Sequence, residues 1–350
     1  MSLLRSLLSL VVCATPLWAA DWPCPEDGDI YPCICTISVT YEITMDCSNV
    51  QSSERLTEIF QTPFAFNDFE RLIIDPLSPA NGLDALPAGV FGPVSFKEID
   101  ITNTLIETVD EETLVNSHNT LLHLNLARNR ISWFPFETLE LYLQLRELDL
   151  SFNQFEGDMP DFVTKALISL DLSGNTEFKL TQTVFTGSPY LEVLRLNNMG
   201  MGDTTPPNMF LTLNNLKTLY LQNNDITGTL IEDFINTLSQ PLLAVYLDGN
   251  SLSQIHPLSV TGLNDNGIIS FTNNQIQQLT QENWEGLVSR LTRYDAIDMR
   301  HNPLVCGCDV YWLLLDSSAM RVFNSLTTCS GGNLMTDLPK PWFDEHCTTL

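Results

Sequence analysis

A nine-residue pattern of hydrophobic and polar positions, L-x-x-L-x-L-x-x-N, recurs about every 24 residues through most of this chain. Residues 145–153, with the sequence LRELDLSFN, form one complete copy. The spacing of the leucines predicts a short strand that turns them to one side, and the asparagine marks the bend that follows. A single copy cannot bury its own leucines. We therefore predict that the copies stack into an α/β solenoid with short parallel strands.

The ninth position of the pattern occurs in ten copies, and seven of them have asparagine there. An asparagine side chain can donate to and accept from backbone groups that the bend leaves unpaired, which predicts a ladder of side-chain hydrogen bonds. Thr104 can partly replace the amide, whereas Leu77 and Met199 cannot, so we predict looser or water-filled turns at those two positions. The ten positions are Leu77, Thr104, Asn129, Asn153, Asn175, Met199, Asn224, Asn250, Asn274 and Asn302.

The rest of each repeat returns across the opposite, convex side of the solenoid. We interpret its large aromatic residues as core filler rather than as a cofactor site. Prolines in several of these segments disfavour regular helix there. The aromatic residues are Phe91, Phe185, Phe210, Phe234 and Trp284.

Both ends of such a stack expose leucine-lined core and an unpaired strand edge, so each end needs a cap. Four cysteines precede the repeats and four follow them, and none lies between. Such groups predict disulfides; a four-cysteine zinc site is the alternative, and spacing alone does not give the pairing. The predicted domains are a signal peptide at 1–20, an N-terminal cysteine cap at 21–66, about ten repeats at 67–304 and a C-terminal cysteine cap at 305–350.

The start of the chain and its charge indicate where the protein works. Arg5, a short apolar run and small residues before Asp21 are typical of a secretory signal peptide. No later run is long enough to span a bilayer and no hydrophobic tail follows Cys347, so we expect a secreted, extracellular protein without a membrane span. The formal net charge of -27 disfavours nucleic acids and anionic membranes as partners. A surface kept acidic for solubility accounts for that charge without a ligand.

The repeat and the cysteine spacing at both ends resemble the extracellular leucine-rich-repeat proteins over essentially the whole mature chain. The C-x-C spacing at 33–35 is similar to the family's N-terminal cap, and NPLVCGCDVYWLL at 302–314 is similar to its C-terminal cap. The resemblance implies a leucine-rich-repeat horseshoe with short parallel strands on its concave face and disulfide-bonded caps at both ends. It also implies the disulfides Cys24–Cys35, Cys33–Cys47, Cys306–Cys329 and Cys308–Cys347.

Five stretches resemble, more narrowly, the non-catalytic subunits associated with secreted crustacean luciferases. In that family the light-producing chemistry belongs to a different, smaller chain. The resemblance therefore implies a non-catalytic chain that binds and stabilises a small secreted enzyme subunit. The stretches are WPCPEDGDIYPCIC at 22–35, TMDCSNV at 44–50, LPAGVFGPVSFKEIDITNT at 86–104, CGCDVYWLL at 306–314 and LPKPWFDEHC at 338–347.

Positions two, three, five, seven and eight of the nine-residue pattern are expected to face the concave surface. Over the ten copies they place seven basic and eleven acidic residues there. Phe152, Tyr220 and Tyr246 accompany these charges, and a mixed-charge, moderately aromatic surface is suited to binding protein. Solvated strand faces without a ligand are the alternative. The predicted contact residues are Arg128, Arg146, Asp149, Asp171, Arg195, Lys217, Tyr220 and Tyr246.

The fifth strand position also gathers oxygen-bearing side chains on consecutive strands, about 5 Å apart. Oxygen ligands at that spacing suit calcium, but no loop assembles the six or more that calcium takes. We therefore interpret this run as solvated acid near Arg128 and Arg146 rather than as a metal site. Its members are Asp100, Asn125, Asp149 and Asp171.

Catalysis finds little support in the sequence. The five histidines accompany no G-x-S-x-G, H-E-x-x-H or P-loop motif, and the two on the concave side, His123 and His301, are seven repeats apart. No nucleotide-binding motif is visible, and we predict no cofactor. The predicted function is a secreted, non-catalytic scaffold that binds another protein. The alternatives are a pattern-recognition or adhesion protein for microbial or cell-surface ligands, and a secreted oxygenase that acts alone.

Overall fold

The computed structural model describes residues 23–77, 82–202, 205–239 and 241–347, so the predicted signal peptide at 1–20 lies outside the described residues. Its helices are α1 (Asp27–Ile30), α2 (Ser53–Phe60), α3 (Gln281–Val288), α4 (Tyr311–Leu315), α5 (Ser317–Met320) and α6 (Lys340–His346). Its strands are β1 (Ile34–Ile37), β2 (Ile43–Asp46), β3 (Asp68–Ile74), β4 (Ala85–Leu86), β5 (Ser95–Ile101), β6 (Thr108–Val109), β7 (His123–Asn125), β8 (Glu147–Asp149), β9 (Glu156–Asp158), β10 (Ser169–Asp171), β11 (Glu177–Lys179), β12 (Val193–Arg195), β13 (Thr218–Tyr220), β14 (Thr227–Leu230), β15 (Leu242–Tyr246), β16 (Ser251–Ile255), β17 (Leu263–Ser270) and β18 (Ile297–Asp298).

Twelve of the strands form one sheet, in the order β1-β2-β3-β5-β7-β8-β10-β12-β13-β15-β17-β18. The pair β1–β2 is antiparallel, and every later neighbour in this sheet is parallel. Inward residues lie in register, as Leu148 with Leu170 and Leu170 with Leu194. These side chains are at most 2% exposed. The predicted solenoid of stacked parallel strands is confirmed.

The convex side contains short strands that the repeat pattern did not predict. Three two-stranded parallel ladders, β4–β6, β9–β11 and β14–β16, lie outside the main sheet. In the described parts of the returns, regular helix occurs at α3 in the last return, while a six-residue 3-10 helix, Phe136–Leu141, follows Pro135. The aromatic residues predicted as core filler, such as Phe185 and Phe210, are fully buried, which confirms that interpretation.

The predicted asparagine ladder is present and links neighbouring repeats. Asn250 shows the pattern: its Nδ2 donates to the carbonyl oxygens of Leu221 (3.0 Å) and Leu247 (2.9 Å). Its Oδ1 accepts from the amides of Asn224 (2.9 Å) and Ile226 (3.2 Å). Each such side chain therefore satisfies backbone groups of its own bend and of the preceding one.

The prediction of a loose turn at Met199 is wrong. Met199 is 1% exposed, and its backbone amide donates to Asn224 Oδ1 at 2.8 Å. Asn224 also donates to the carbonyl of Leu196 at 2.6 Å, so the asparagine of the next repeat serves this bend. Leu77, in contrast, is fully exposed and fills no inward position.

Disulfide-bonded caps close both ends of the sheet's core. The structure joins Cys24 to Cys35, Cys33 to Cys47, Cys306 to Cys329 and Cys308 to Cys347, the pairs that the resemblance implies. In the N-terminal cap, β2 pairs with β1 in an antiparallel hairpin and lies parallel to β3. The helix α2 leads from this cap into the repeats, and its N-cap Ser52 accepts from the amide of Arg55 at 3.2 Å. Among the described residues, no helix is both long and apolar enough to cross a membrane.

Candidate binding face

The residues at the fifth position of the nine-residue pattern form a continuous row on the concave side, which we call the central column. Inward leucines alternate with these residues, because successive side chains of a strand point to opposite faces. The parallel register places each member beside the next on the neighbouring strand. From β5 to β18 the column reads Asp100, Asn125, Asp149, Asp171, Arg195, Tyr220, Tyr246, Ser270 and Asp298.

The middle of the column is a stack of one cation and two aromatic rings. The guanidinium carbon of Arg195 lies 5.2 Å from the ring centroid of Tyr220. The rings of Tyr220 and Tyr246 are 5.0 Å apart with 14° between their planes. Arg195 also donates from Nη1 to Ser169 Oγ at 3.1 Å, which fixes the outer end of the stack. The three side chains thus hold one another in place.

The acidic part of the column is neutralised at one end only. Arg71 contacts Asp100 Oδ2 at 2.6 Å, and Asn125 Nδ2 donates to Asp100 Oδ1 at 3.1 Å. Within the described part of the chain, no cationic group lies within 4.0 Å of the carboxylates of Asp149 or Asp171. Arg128 and Arg146, which the sequence places near these acids, form no ion pair with them in the described residues, since both lie on the rims of the face.

A shallow cavity of about 420 Å³ opens over this acidic part and ends at the stack. Asp149 and Asp171 each use Oδ1 to accept from an amide two residues later, that of Ser151 or Ser173, both at 2.9 Å. Burial raises the pKa of Asp171, and the neighbouring Asp149 adds to that effect, against the hydrogen bonds from Ser173 and the charge of Arg195. The cavity lining is therefore polar, and its negative charge is only partly compensated.

Replacing Asp171 by asparagine should stabilise the fold at neutral pH. Since the pKa of Asp171 is raised in the folded protein, protonation of this group adds stability at low pH that is lost as the pH rises through the folded pKa. Asparagine keeps the acceptor for the Ser173 amide but carries no buried charge. Urea unfolding should give the variant a higher free energy of unfolding than wild type at neutral pH. This difference should disappear below pH 3.8, the ordinary pKa of an aspartate. A gap that does not change with pH would contradict this account.

The residues at the eighth position of the pattern form one rim of the concave face, just after the strands end. Their backbone adopts left-handed φ. Arg128 and Phe152 do so at φ 59° and 54°, and Gly174 does so at φ 80°. The guanidinium carbon of Arg128 lies 5.0 Å from the Phe152 ring centroid, and that ring covers Gly174, where an added Cβ would lie 2.6 Å from Phe152 Cδ1. Bulky residues pay a strain of about 1 kcal/mol or more in this conformation. The rim therefore presents a half-exposed phenylalanine and an arginine at some energetic cost.

The structure brings five of the eight predicted contact residues together and separates the other three. Lys217 lies on the rim at the strand starts, bound to Glu192 at 2.7 Å, and Arg146 is exposed on the same rim. Arg128 lies on the opposite rim. Sequence reasoning missed Ser169, whose hydroxyl holds Arg195; its place before a column residue was the available signal. The residues brought together are Asp149, Asp171, Arg195, Tyr220 and Tyr246.

The histidines form no shared site. His123 contacts Glu147 at 3.1 Å beside the cavity, while His301 follows β18 at the far end of the face. In residues 23–347, apart from the three gaps, no group of three or more histidine, cysteine or acidic side chains is placed to hold a metal ion.

The sequence profile of the Leucine Rich Repeat family matches residues 144–165 and 215–237, which span β8 and β13 of the central sheet. The chain has the leucine-rich-repeat fold. Two solved structures resemble this fold with a TM-score of 0.63. One chain is from an octameric complex of latrophilin 3, Unc5D and FLRT2, with 19% identity, covering 83% of this chain and 87% of that one. The other is from a TLR13–ssRNA13 complex, with 20% identity, covering 79% and 40%.

The chain is 28% identical over 339 residues to the oplophorus-luciferin 2-monooxygenase non-catalytic subunit of Oplophorus gracilirostris. That match covers 93% of this chain and 88% of the relative. Tsukushi of Gallus gallus is 30% identical over 178 residues, covering 49% of this chain and 46% of the relative. The first name describes a non-catalytic subunit, which agrees with the expectation that this chain is not an enzyme.

Proposed function

We propose that this leucine-rich-repeat protein is a secreted, non-catalytic scaffold that binds another protein on its concave face. The observation that carries the proposal is the Arg195–Tyr220–Tyr246 stack at the middle of the central column. Tyrosine and arginine are enriched among residues that dominate binding energy, and side chains already held in place lose less entropy on binding. The polar cavity beside the stack adds room for a partner's side chain.

The same proposal includes the organisation of the chain and its location. Residues 1–20 would direct secretion, 21–66 and 305–350 would cap the ends, and 67–304 would form the repeats. The four disulfides support an oxidising, extracellular environment. Because the relative from Oplophorus gracilirostris is a non-catalytic subunit, the proposed partner is a small secreted enzyme subunit that this chain stabilises.

The test is a binding experiment with a paired tyrosine variant. Proteins that co-purify from native secretion would be identified by mass spectrometry, and each would be purified and titrated against wild type and Tyr220→Ala/Tyr246→Ala. We expect the double variant to weaken binding about 30-fold or more, since a hot-spot truncation costs about 2 kcal/mol or more. Tyr190→Ala/Tyr294→Ala is the control, because these exposed tyrosines lie outside the column.

Equal binding by wild type and the column variant would count against the concave face. Retention of glycans on an array, with no protein partner recovered, would instead favour the pattern-recognition alternative. Oxygen uptake by the purified chain with an imidazopyrazinone substrate would overturn the non-catalytic assignment.

A further inference from the structure

The two ends of the twelve-stranded sheet are closed differently. At the C-terminal end, the cap segment after α5 covers β18: the Ile297 amide donates to Val322 O at 2.9 Å, and the Asn324 amide donates to Ile297 O at 2.7 Å. At the N-terminal end, β1 pairs with β2 and with no second strand in the part of the chain that the structure describes. We call the outer side of β1 the N-terminal edge.

Exposed apolar side chains lie in β1, just before it and in the turn that follows it. Tyr31 is 72% exposed, Ile34 56%, Val39 100% and Tyr41 77%. Natural sheets usually protect an edge with lysine, proline or a bulge, but β1 reads Ile-Cys-Thr-Ile and is regularly paired over its four residues. An unprotected edge flanked by apolar groups is a ready acceptor for another strand.

The N-terminal edge also continues the concave surface. Ile73 of β3 lies in register with Asp46 of β2, and Asp46 lies in register with Ile34 of β1. Ile34 and Asp46 therefore share the face that carries the central column, since residues in register lie on the same side of a sheet. A strand added to β1 would place every second side chain beside Ile34 and near Asp46.

The negative charge near this edge favours a basic partner segment. Residues 23–50 contain five acidic residues and no lysine or arginine. With a net charge of -27 for the whole chain, a second copy of this protein would be repelled, whereas a basic segment would be attracted. The five are Glu26, Asp27, Asp29, Glu42 and Asp46.

We propose that the N-terminal edge accepts an extended segment of a partner protein in which apolar residues alternate with lysine or arginine. The segment adds to β1 by backbone hydrogen bonds and becomes a thirteenth strand of the twelve-stranded sheet. Its cations lie on the face of Ile34, near Asp46 and Glu42, and its apolar side chains lie on the opposite face, beside Ile37. This site is separate from the tyrosine stack and does not depend on the proposed function.

A short synthetic peptide of alternating valine and lysine is the probe, titrated by fluorescence anisotropy against the full chain. We expect saturable binding to wild type, with slowed amide hydrogen exchange in residues 34–37. Ile34→Lys/Thr36→Lys should weaken binding about tenfold or more, because edge lysines block strand addition and repel the peptide. Both residues are exposed, so the fold tolerates the change. Leu315→Lys/Leu326→Lys, at exposed positions of the C-terminal cap, is the matched control and should bind as wild type does.

Three controls separate the proposed strand addition from other causes. A peptide methylated at its backbone nitrogens should not bind, and equal binding would exclude added strand hydrogen bonds. A valine–glutamate peptide should not bind either, and equal binding would exclude charge selection. Sedimentation should show one species, since a dimer abolished by Ile34→Lys/Thr36→Lys would mean that a second copy occupies the edge. Unchanged affinity of the lysine variant would overturn the proposal outright.

Discussion

Replacing Asn250 by alanine should lower the free energy of unfolding by about 4 kcal/mol. Asn250 is 4% exposed and serves four backbone groups, the amides of Asn224 and Ile226 and the carbonyls of Leu221 and Leu247. Each buried group left without a partner costs about 1–3 kcal/mol, and some relaxation around the smaller side chain offsets part of the sum. The loss should exceed that of a typical surface substitution several-fold.

Urea unfolding followed by circular dichroism measures this loss. Asn215→Ala is the matched control, because Asn215 is exposed and makes one side-chain hydrogen bond, to Pro189 O at 2.8 Å. Hydrogen exchange should quicken first at the amides of Asn224 and Ile226. Similar unfolding free energies for the two variants would mean that water replaces the ladder at little cost.

Replacing Phe96 by alanine should cost about 4 kcal/mol, in the range found for large aromatic side chains removed from cores. Phe96 is fully buried at the start of β5, where it packs edge-on against three other rings. Its ring centroid lies 5.7 Å from that of Phe60, 5.8 Å from that of Phe69 and 5.4 Å from that of Phe91. Since Phe60 belongs to α2, the cluster joins the N-terminal cap to the first repeats, and its loss should loosen both.

Phe96→Leu is the informative comparison for this prediction. Leucine keeps most of the buried apolar volume but loses the edge-to-face contacts, so we expect a cost of about 1–2 kcal/mol. Differential scanning calorimetry with both variants separates volume from ring geometry. Equal losses would indicate that ring geometry, rather than the cavity, determines the stability of this junction.

The repeat spacing was sufficient to predict the central column, and for a simple physical reason. Parallel strands that carry leucines at the same positions pack in one register, so Asp149 had to lie beside Asp171, and Tyr220 beside Tyr246. The repeat spacing does not predict which charged side chains form ion pairs, because that depends on the length and position of each side chain. Arg71 spans to Asp100 on the next strand, while Arg146, at a strand start, reaches neither Asp149 nor Asp171.

Other features depended on neighbours that a single repeat does not contain. The turn at Met199 is closed by Asn224 of the following repeat, so the residue at the position itself was a poor guide. The convex ladders, such as β9–β11, form between the returns of neighbouring repeats and have no hydrophobic alternation strong enough to predict them. The left-handed rim did leave a signal in the sequence, since Asn103, Asn198 and Asn223 occupy the eighth position.

The substitution of methionine for asparagine at one bend has a mechanical consequence. Side-chain amides join successive carbonyls at Asn129, Asn153 and Asn175 and again at Asn250, Asn274 and Asn302, but no side-chain amide at Met199 ties Leu172 to Leu196. Pulled from its two ends, the spine would therefore be expected to part near Met199, leaving two shorter segments that each keep a disulfide cap.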